Sequence, residues 1–165
     1  VAKSPRLNVL IALTDLLKTI TPANGYDHDL STGVRRGIAV FGDEAPATLL
    51  SILEAPRPDP GREIGDLDRG RNERWTLLLQ GWCPDDSENP TDPVYEMGED
   101  VERCLRQITA ETAHGRPVVP DVYLLGNLIT DFSMQPPVVR PPTEGVSPKA
   151  FFYIQVQIGL ATRTA

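Results

Sequence analysis

The chain has little of what most chemistry requires. Its 165 residues include two histidines and two cysteines. It contains no HExxH pair, no GxSxG around a serine, no GxxxxGK[ST] and no GxGxxG. The sequence signatures of zinc hydrolases, nucleophile elbows and phosphate cradles are therefore missing. Cys83 and Cys104 have no CxxC spacing and are too few to staple a chain of this size, so both are expected to be reduced. Cys104 falls among helical apolar positions, where a thiol serves as a small buried hydrophobe. Net positive charge is also lacking: the balance is −7 and the sequence pI about 4.8. A protein whose main task is gripping nucleic-acid phosphates needs the opposite field. No stretch approaches the roughly 18 consecutive apolar residues of a membrane span. Residues 1–20 lack the separate basic head, apolar run and small-residue cleavage site of a secretory leader. The expectation is a soluble protein kept in the cytoplasm.

What the chain does have is an ordinary globular composition, 40% hydrophobic and 24% charged, with an excess of proline. Of sixteen prolines, most gather in four clusters, which in a chain of this length predicts a single domain over residues 1–165 carrying stiff, extended excursions. Ser4-Pro5 starts a helix with a capping hydroxyl and a proline in the first turn. Leu7, Leu10, Ile11, Leu13, Leu17 and Ile20 then recur at helical spacing until Thr21-Pro22. Asn24-Gly25 reads as a turn and residues 33–41 as a strand. Residues 48–54 form a second strand that can pair with it as a hairpin.

Residues 57–74 are charged at more than half their positions and predict a long mobile loop. Residues 75–82 are nearly continuous in apolar character, as in a strand that is central or covered on both faces. After an acidic linker, Asp92 as cap and Pro93 as first residue open a second helix. Its stripe is Val94, Met97, Val101, Cys104, Leu105 and Ile108, and Gly115 marks its far boundary, with His114 capping its end. Residues 122–132 predict a strand interrupted by Gly126. Residues 150–160 predict the clearest strand, with Phe152, Ile154, Val156, Ile158 and Leu160 on one face. Five prolines make residues 134–148 a loop or extended arm rather than a sheet interior. The expected fold class is α+β. Two helices pack on one face of a four- to five-stranded, mostly antiparallel or mixed sheet, and the long loops are residues 55–74 and 133–149.

The search for a catalytic constellation returns nothing assembled. Asp27-His28-Asp29 has no second ligand pair and reads as a solvated turn. Gly61, Gly65 and Gly70 lack the lysine and following helix of a phosphate loop. The acids from Asp85 onward lack the spacing and central glycine of a calcium loop. No catalytic residue, cofactor or metal is expected.

Several phrases nonetheless resemble one family. They are Leu7-Asn8-Val9-Leu10-Ile11-Ala12-Leu13 leading to Ile20, then Gly25-Tyr26-Asp27 and Val34-Arg35-Arg36-Gly37, then Pro46-Ala47-Thr48-Leu49. They continue with residues 74–82, with Asp100-Val101-Glu102-Arg103-Cys104-Leu105 and with the final strand over residues 152–159. In this order, over nearly the full chain, they resemble tail-terminator and tail-completion proteins of long-tailed bacteriophages. The charged loop and the proline-rich insertion depart from the pattern. The resemblance implies a non-catalytic virion protein at the head-proximal end of the tail, assembled in the host cytoplasm. Copies form a homo-hexameric ring that stops tail-tube polymerisation. The implied partners are the tail tube protein and the head-completion or connector protein, with DNA only passing through the lumen and no membrane. Another head-tail connector, a tube protein, or a small α/β enzyme or nucleotide-binding protein stands as the alternative. The charged loop, through Arg62, Asp66, Asp68 and Arg69, is the expected subunit interface.

Overall fold

The structure is a computed structural model in which residues 4–39, 45–55, 72–145 and 147–161 are described. Helix α1 spans Pro5–Leu17, and the Ser4 hydroxyl accepts a hydrogen bond from the Leu7 amide at 3.1 Å, as its sequence predicts. Strands follow at Val34–Arg36 (β1), Leu49–Glu54 (β2) and Asn72–Trp82 (β3). Helix α2 spans Asp92–Leu105, and one tighter turn carries its stripe to Ile108. A single turn, Leu124–Asn127 (α3), precedes β4 (Asp131–Met134), β5 (Val138–Arg140) and β6 (Phe151–Ala161).

The six strands form one open mixed sheet in the order β1-β2-β3-β6-β4, with β5 also on β6. Strands β4 and β5 lie along the same edge of β6, against Val156–Gly159 and Phe151–Tyr153 respectively. The α+β architecture matches the expectation, with six strands where four or five were expected. Both helices cover one face. Val9, Leu13, Leu17, Val94, Met97, Val101 and Cys104 meet Leu50, Ile52, Leu77, Leu79, Phe152, Ile154 and Val156 in one core. Among the described residues, the other sheet face carries no helix. Leu53, Leu78 and Tyr153 are only half-buried there, so β3 is central but not covered on both faces.

Gly81 is required by this packing. A Cβ at that position would lie 2.2 Å from a ring carbon of the fully buried Phe152, which its own register partner on β6 supplies.

Four expectations are corrected. The first two strands do not form a hairpin: β1 is three residues long and runs parallel to β2, with Val34 opposite Leu50. Gly37, at φ +74°, turns the chain out of the strand while donating to the Ile52 carbonyl, which ends the expected strand early. Residues 122–132 are not one strand. Leu124, Leu125, Gly126 and Asn127 all have positive φ, between 49° and 68°, so the chain makes a left-handed turn before β4 begins. The arm at 134–148 stays out of the sheet interior as expected, but it contains the edge strand β5. Pro136 and Pro137 precede it and Pro141 and Pro142 follow it, leaving three consecutive amides able to pair. Finally, α2 starts one residue early, with Thr91 as its cap. It ends well before Gly115, which instead turns a separate loop bridged by Glu111 and Pro117.

Candidate functional site

Arg62, Asp66, Asp68 and Arg69, the expected interface residues, lie outside the described residues, as does all of the charged loop except its last three positions. Residues 72–74 belong to β3, so the loop leaves the end of β2 and re-enters at the start of β3. These two strands are antiparallel neighbours.

The most elaborate polar arrangement lies where the chain leaving α1 meets α2. Asp100 is 3% exposed although it is a carboxylate on a helix. Its Oδ2 accepts from the Asp27 amide and the His28 amide, both at 3.0 Å, and stands 2.9 Å from His28 Nδ1. Its Oδ1 lies 3.3 Å from the Arg103 guanidinium, which also donates to the Gly25 carbonyl at 2.8 Å and rests 4.5 Å over the Tyr26 ring. Gln107 donates to the Tyr26 hydroxyl at 2.9 Å. Burial is the first cause that pushes the Tyr26 hydroxyl above its ordinary pKa, with Cys104 acting in the same direction.

The predicted solvated turn at His28 is therefore corrected: its amide and ring are tied to a buried acid that the sequence analysis did not single out. A signal existed, because Asp100 stands three residues after Met97 and four before Cys104, at the border of the apolar stripe. Chemically, the bond at Nδ1 orients the imidazole, and Nε2 has no hydrogen-bond partner among the described residues. No hydroxyl or thiol is held against it, so a nucleophile–base pair is not assembled among the described residues. What the arrangement does is fasten the Gly25–His28 turn to α2.

The remaining candidates are placed separately. Cys83 and Cys104 are free and buried, as expected. Burial, reinforced by Asp85 and Glu96, pushes the Cys83 thiol up to about 11, and burial also raises Cys104. Raised thiols are poor nucleophiles at neutral pH. His114 is exposed in the 112–115 turn, away from any helix end, which corrects the expected cap. In the acidic linker, Asp86 accepts from the Glu88 and Asn89 amides and Asp85 from the Ala150 amide at 3.1 Å. These bonds turn the chain and anchor the start of β6. Among the described residues no group of three or more His, Cys, Asp or Glu is placed to hold a metal, and no helix is long and apolar enough to cross a membrane. No family model matches the chain, and no curated protein matches it.

Proposed function

We propose that the chain is a phage tail-terminator subunit: copies close into a ring on the head-proximal end of a tail tube, stop its growth and present a surface to the head-completion proteins. One observation carries the reading. The phrases on which the resemblance rests fall in order on the elements that build the core: residues 7–13 in α1, 34–36 in β1, 74–82 in β3, 100–105 in α2 and 152–159 in β6. The edges of the sheet are consistent with a subunit that stops growth. β1 has three residues, and the opposite edge is broken into two short strands with prolines between them. Such edges give another strand little to pair with, so contacts between copies fall to side chains. An acidic chain also suits a conduit, since a lumen that attracted phosphates would retain passing DNA.

The test is assembly. Purified protein added to polymerising tail-tube subunits should appear as rings at one tube end and should limit tube length, as seen by negative-stain microscopy. Deleting the gene from its phage should leave filled heads and separate tails of irregular or excessive length. Normal, joined tails in the deletion would refute the proposal.

A further inference from the structure

Two surfaces at opposite ends of the sheet carry charges that no ion-pair partner among the described residues satisfies. At one end is β1, the edge strand, where Arg35 and Arg36 are consecutive and leave the strand towards opposite faces, Arg36 on the side of α1. Arg36 is exposed and donates to the Thr14 hydroxyl at 2.9 Å; Arg35 is partly exposed and donates to the Thr32 and Val34 carbonyls. Neither has an ion-pair partner among the described residues. Both guanidiniums are thus oriented by neutral oxygens, with no carboxylate paired to them among the described residues. On α1 beyond Thr14, the exposed Asp15 and Lys18 are likewise outside any ion pair among the described residues.

At the other end is the first half of α2. Gly98 packs against Pro137, the residue leading into β5, with a Cβ at Gly98 lying 3.5 Å from the proline. This places the beginning of α2 over the β5–β6 side of the sheet. Helical spacing puts Asp92, Tyr95, Glu96 and Glu99 on the outward face. Tyr95 is 62% exposed, the most open of the exposed large apolar and aromatic side chains among the described residues. Asp92 and Glu96 are exposed and have no ion-pair partner among the described residues. Glu99 reaches only the exposed Arg106, at 3.9 Å. The Arg103 and Arg106 charges further along α2 are directed to Asp100 and Glu102.

We infer that these two surfaces are the two halves of one joint: Arg36 on the helix side of β1, flanked by Arg35 from the other side of the edge strand, docks on the Tyr95–Glu96–Glu99 face of α2 in the next copy. The occupant is a second copy because the chain itself carries both complements. A planar guanidinium stacks on a tyrosine ring and pairs with carboxylates, a combination that neither lysine nor an aliphatic side chain reproduces. Tyrosine and arginine are also the residue types most enriched where interfaces hold. Because the two halves are different surfaces on opposite flanks, the contact is head-to-tail, and repetition gives a ring or an open helix rather than a two-fold dimer. This deepens the terminator reading and rests on it: the ring proposed above is closed by this joint.

The experiment uses the full chain and two variants. Arg35→Glu with Arg36→Glu damages one half, and Tyr95→Ala with Glu96→Ala damages the other. Each is checked for folding by circular dichroism and read by sedimentation velocity. Wild-type protein should form a closed oligomer whose stability falls as salt rises, because the joint is charged and at the surface. Each variant should be a folded monomer, its self-association weakened by about tenfold or more. Mixed together, the two should form one-to-one pairs that grow no further, since only one intact joint is available. The swap Arg36→Glu with Glu96→Arg in the same chain should recover assembly, which a variant damaged only in folding would not do. Oligomers of unchanged stability in both variants would overturn the joint and leave the terminator reading standing. A wild-type chain that neither forms rings nor caps tail tubes would overturn both.

Discussion

Replacing Asp100 with alanine should be among the most damaging single changes outside the apolar core. The carboxylate is 3% exposed, and its Oδ2 serves two backbone amides and the His28 ring at 2.9–3.0 Å. A hydrogen bond to a charged group contributes about 1.5–3 kcal/mol, and donors left without an acceptor add their own desolvation penalty. The bonds share one carboxylate and are not additive. Asp27 is exposed and His28 partly so, which lets water reach the freed donors. The Arg103 contact adds little, because that side chain is 51% exposed and the separation is 3.3 Å. The expected loss is therefore about 3 kcal/mol, at the lower end of what breaking a buried ionic contact costs. Urea unfolding should show it as a lowered midpoint at unchanged slope. Asp100→Asn, which keeps one acceptor oxygen for the amides, should lose about half as much. Hydrogen exchange at the Asp27 and His28 amides should accelerate in both variants. A change in Asp100→Ala below about 0.5 kcal/mol, the range of ordinary surface substitutions, would show that water replaces the carboxylate freely and that the turn is not held by it.

Ile154 is fully buried on β6, so Ile154→Ala should cost about 2–5 kcal/mol in chemical denaturation, and no measurable change would refute the face assigned to that strand. Gly81→Ala should lower the thermal midpoint, because its Cβ would overlap a Phe152 ring that is itself enclosed; overpacking of this kind costs about 1–3 kcal/mol. Cys83 and Cys104 should resist a maleimide at neutral pH until the protein is unfolded, and rapid labelling of the native protein would contradict their burial. The raised Cys83 thiol also sets a sign. Between its ordinary value of 9.0 and about 11 the folded state keeps a proton that the unfolded state has lost, so this contribution to stability is full below pH 9 and is lost as pH rises toward 11. Comparing Cys83→Ala with wild type across that window should remove this part of the alkaline destabilisation.

The parts of the fold that were legible in the sequence are those where local pattern and tertiary role agree. Ser4-Pro5 both starts and caps α1. The alternation from Phe152 to Leu160 is the inner face of β6, and the stripe from Val94 to Ile108 is the buried side of α2. The misses share a physical cause, which is that distant partners decide the outcome. Nothing local distinguishes a hairpin from a parallel pair for β1 and β2; what decides is Gly37 turning the chain and donating to Ile52. Residues 122–132 carry apolar side chains in a strand-like run, yet Leu125 is buried within, and Ile129 just after, a left-handed turn that leucine does not favour by itself. β5 is hidden among prolines that exclude a central strand and tolerate an edge one. Of the candidate site, the failed search for a catalytic motif could be made from residue types alone. The carboxylate of Asp100 and the two uncompensated surfaces required the fold, since their meaning lies in what they touch or fail to touch.

The place of β6 between β3 and the β4–β5 edge has a consequence for how the molecule is made. β6 follows every other strand among the described residues, yet it is a central one, and its partner β3 lies on the far side of α2 in sequence: Trp82 pairs with Phe151 and Asn72 with Ala161. During synthesis α1, β1, β2, β3 and α2 all emerge before the strand that joins the two halves of the sheet, so the inner face of β3 waits without its neighbour. Loop closure on that scale precedes the reward of pairing, and topologies dominated by such contacts fold slowly. Until β6 arrives, the nascent chain displays Leu77 and Leu79 beside an open strand edge. An open apolar edge of this kind is prone to aggregate, and cells short of chaperones should accumulate the protein as aggregates.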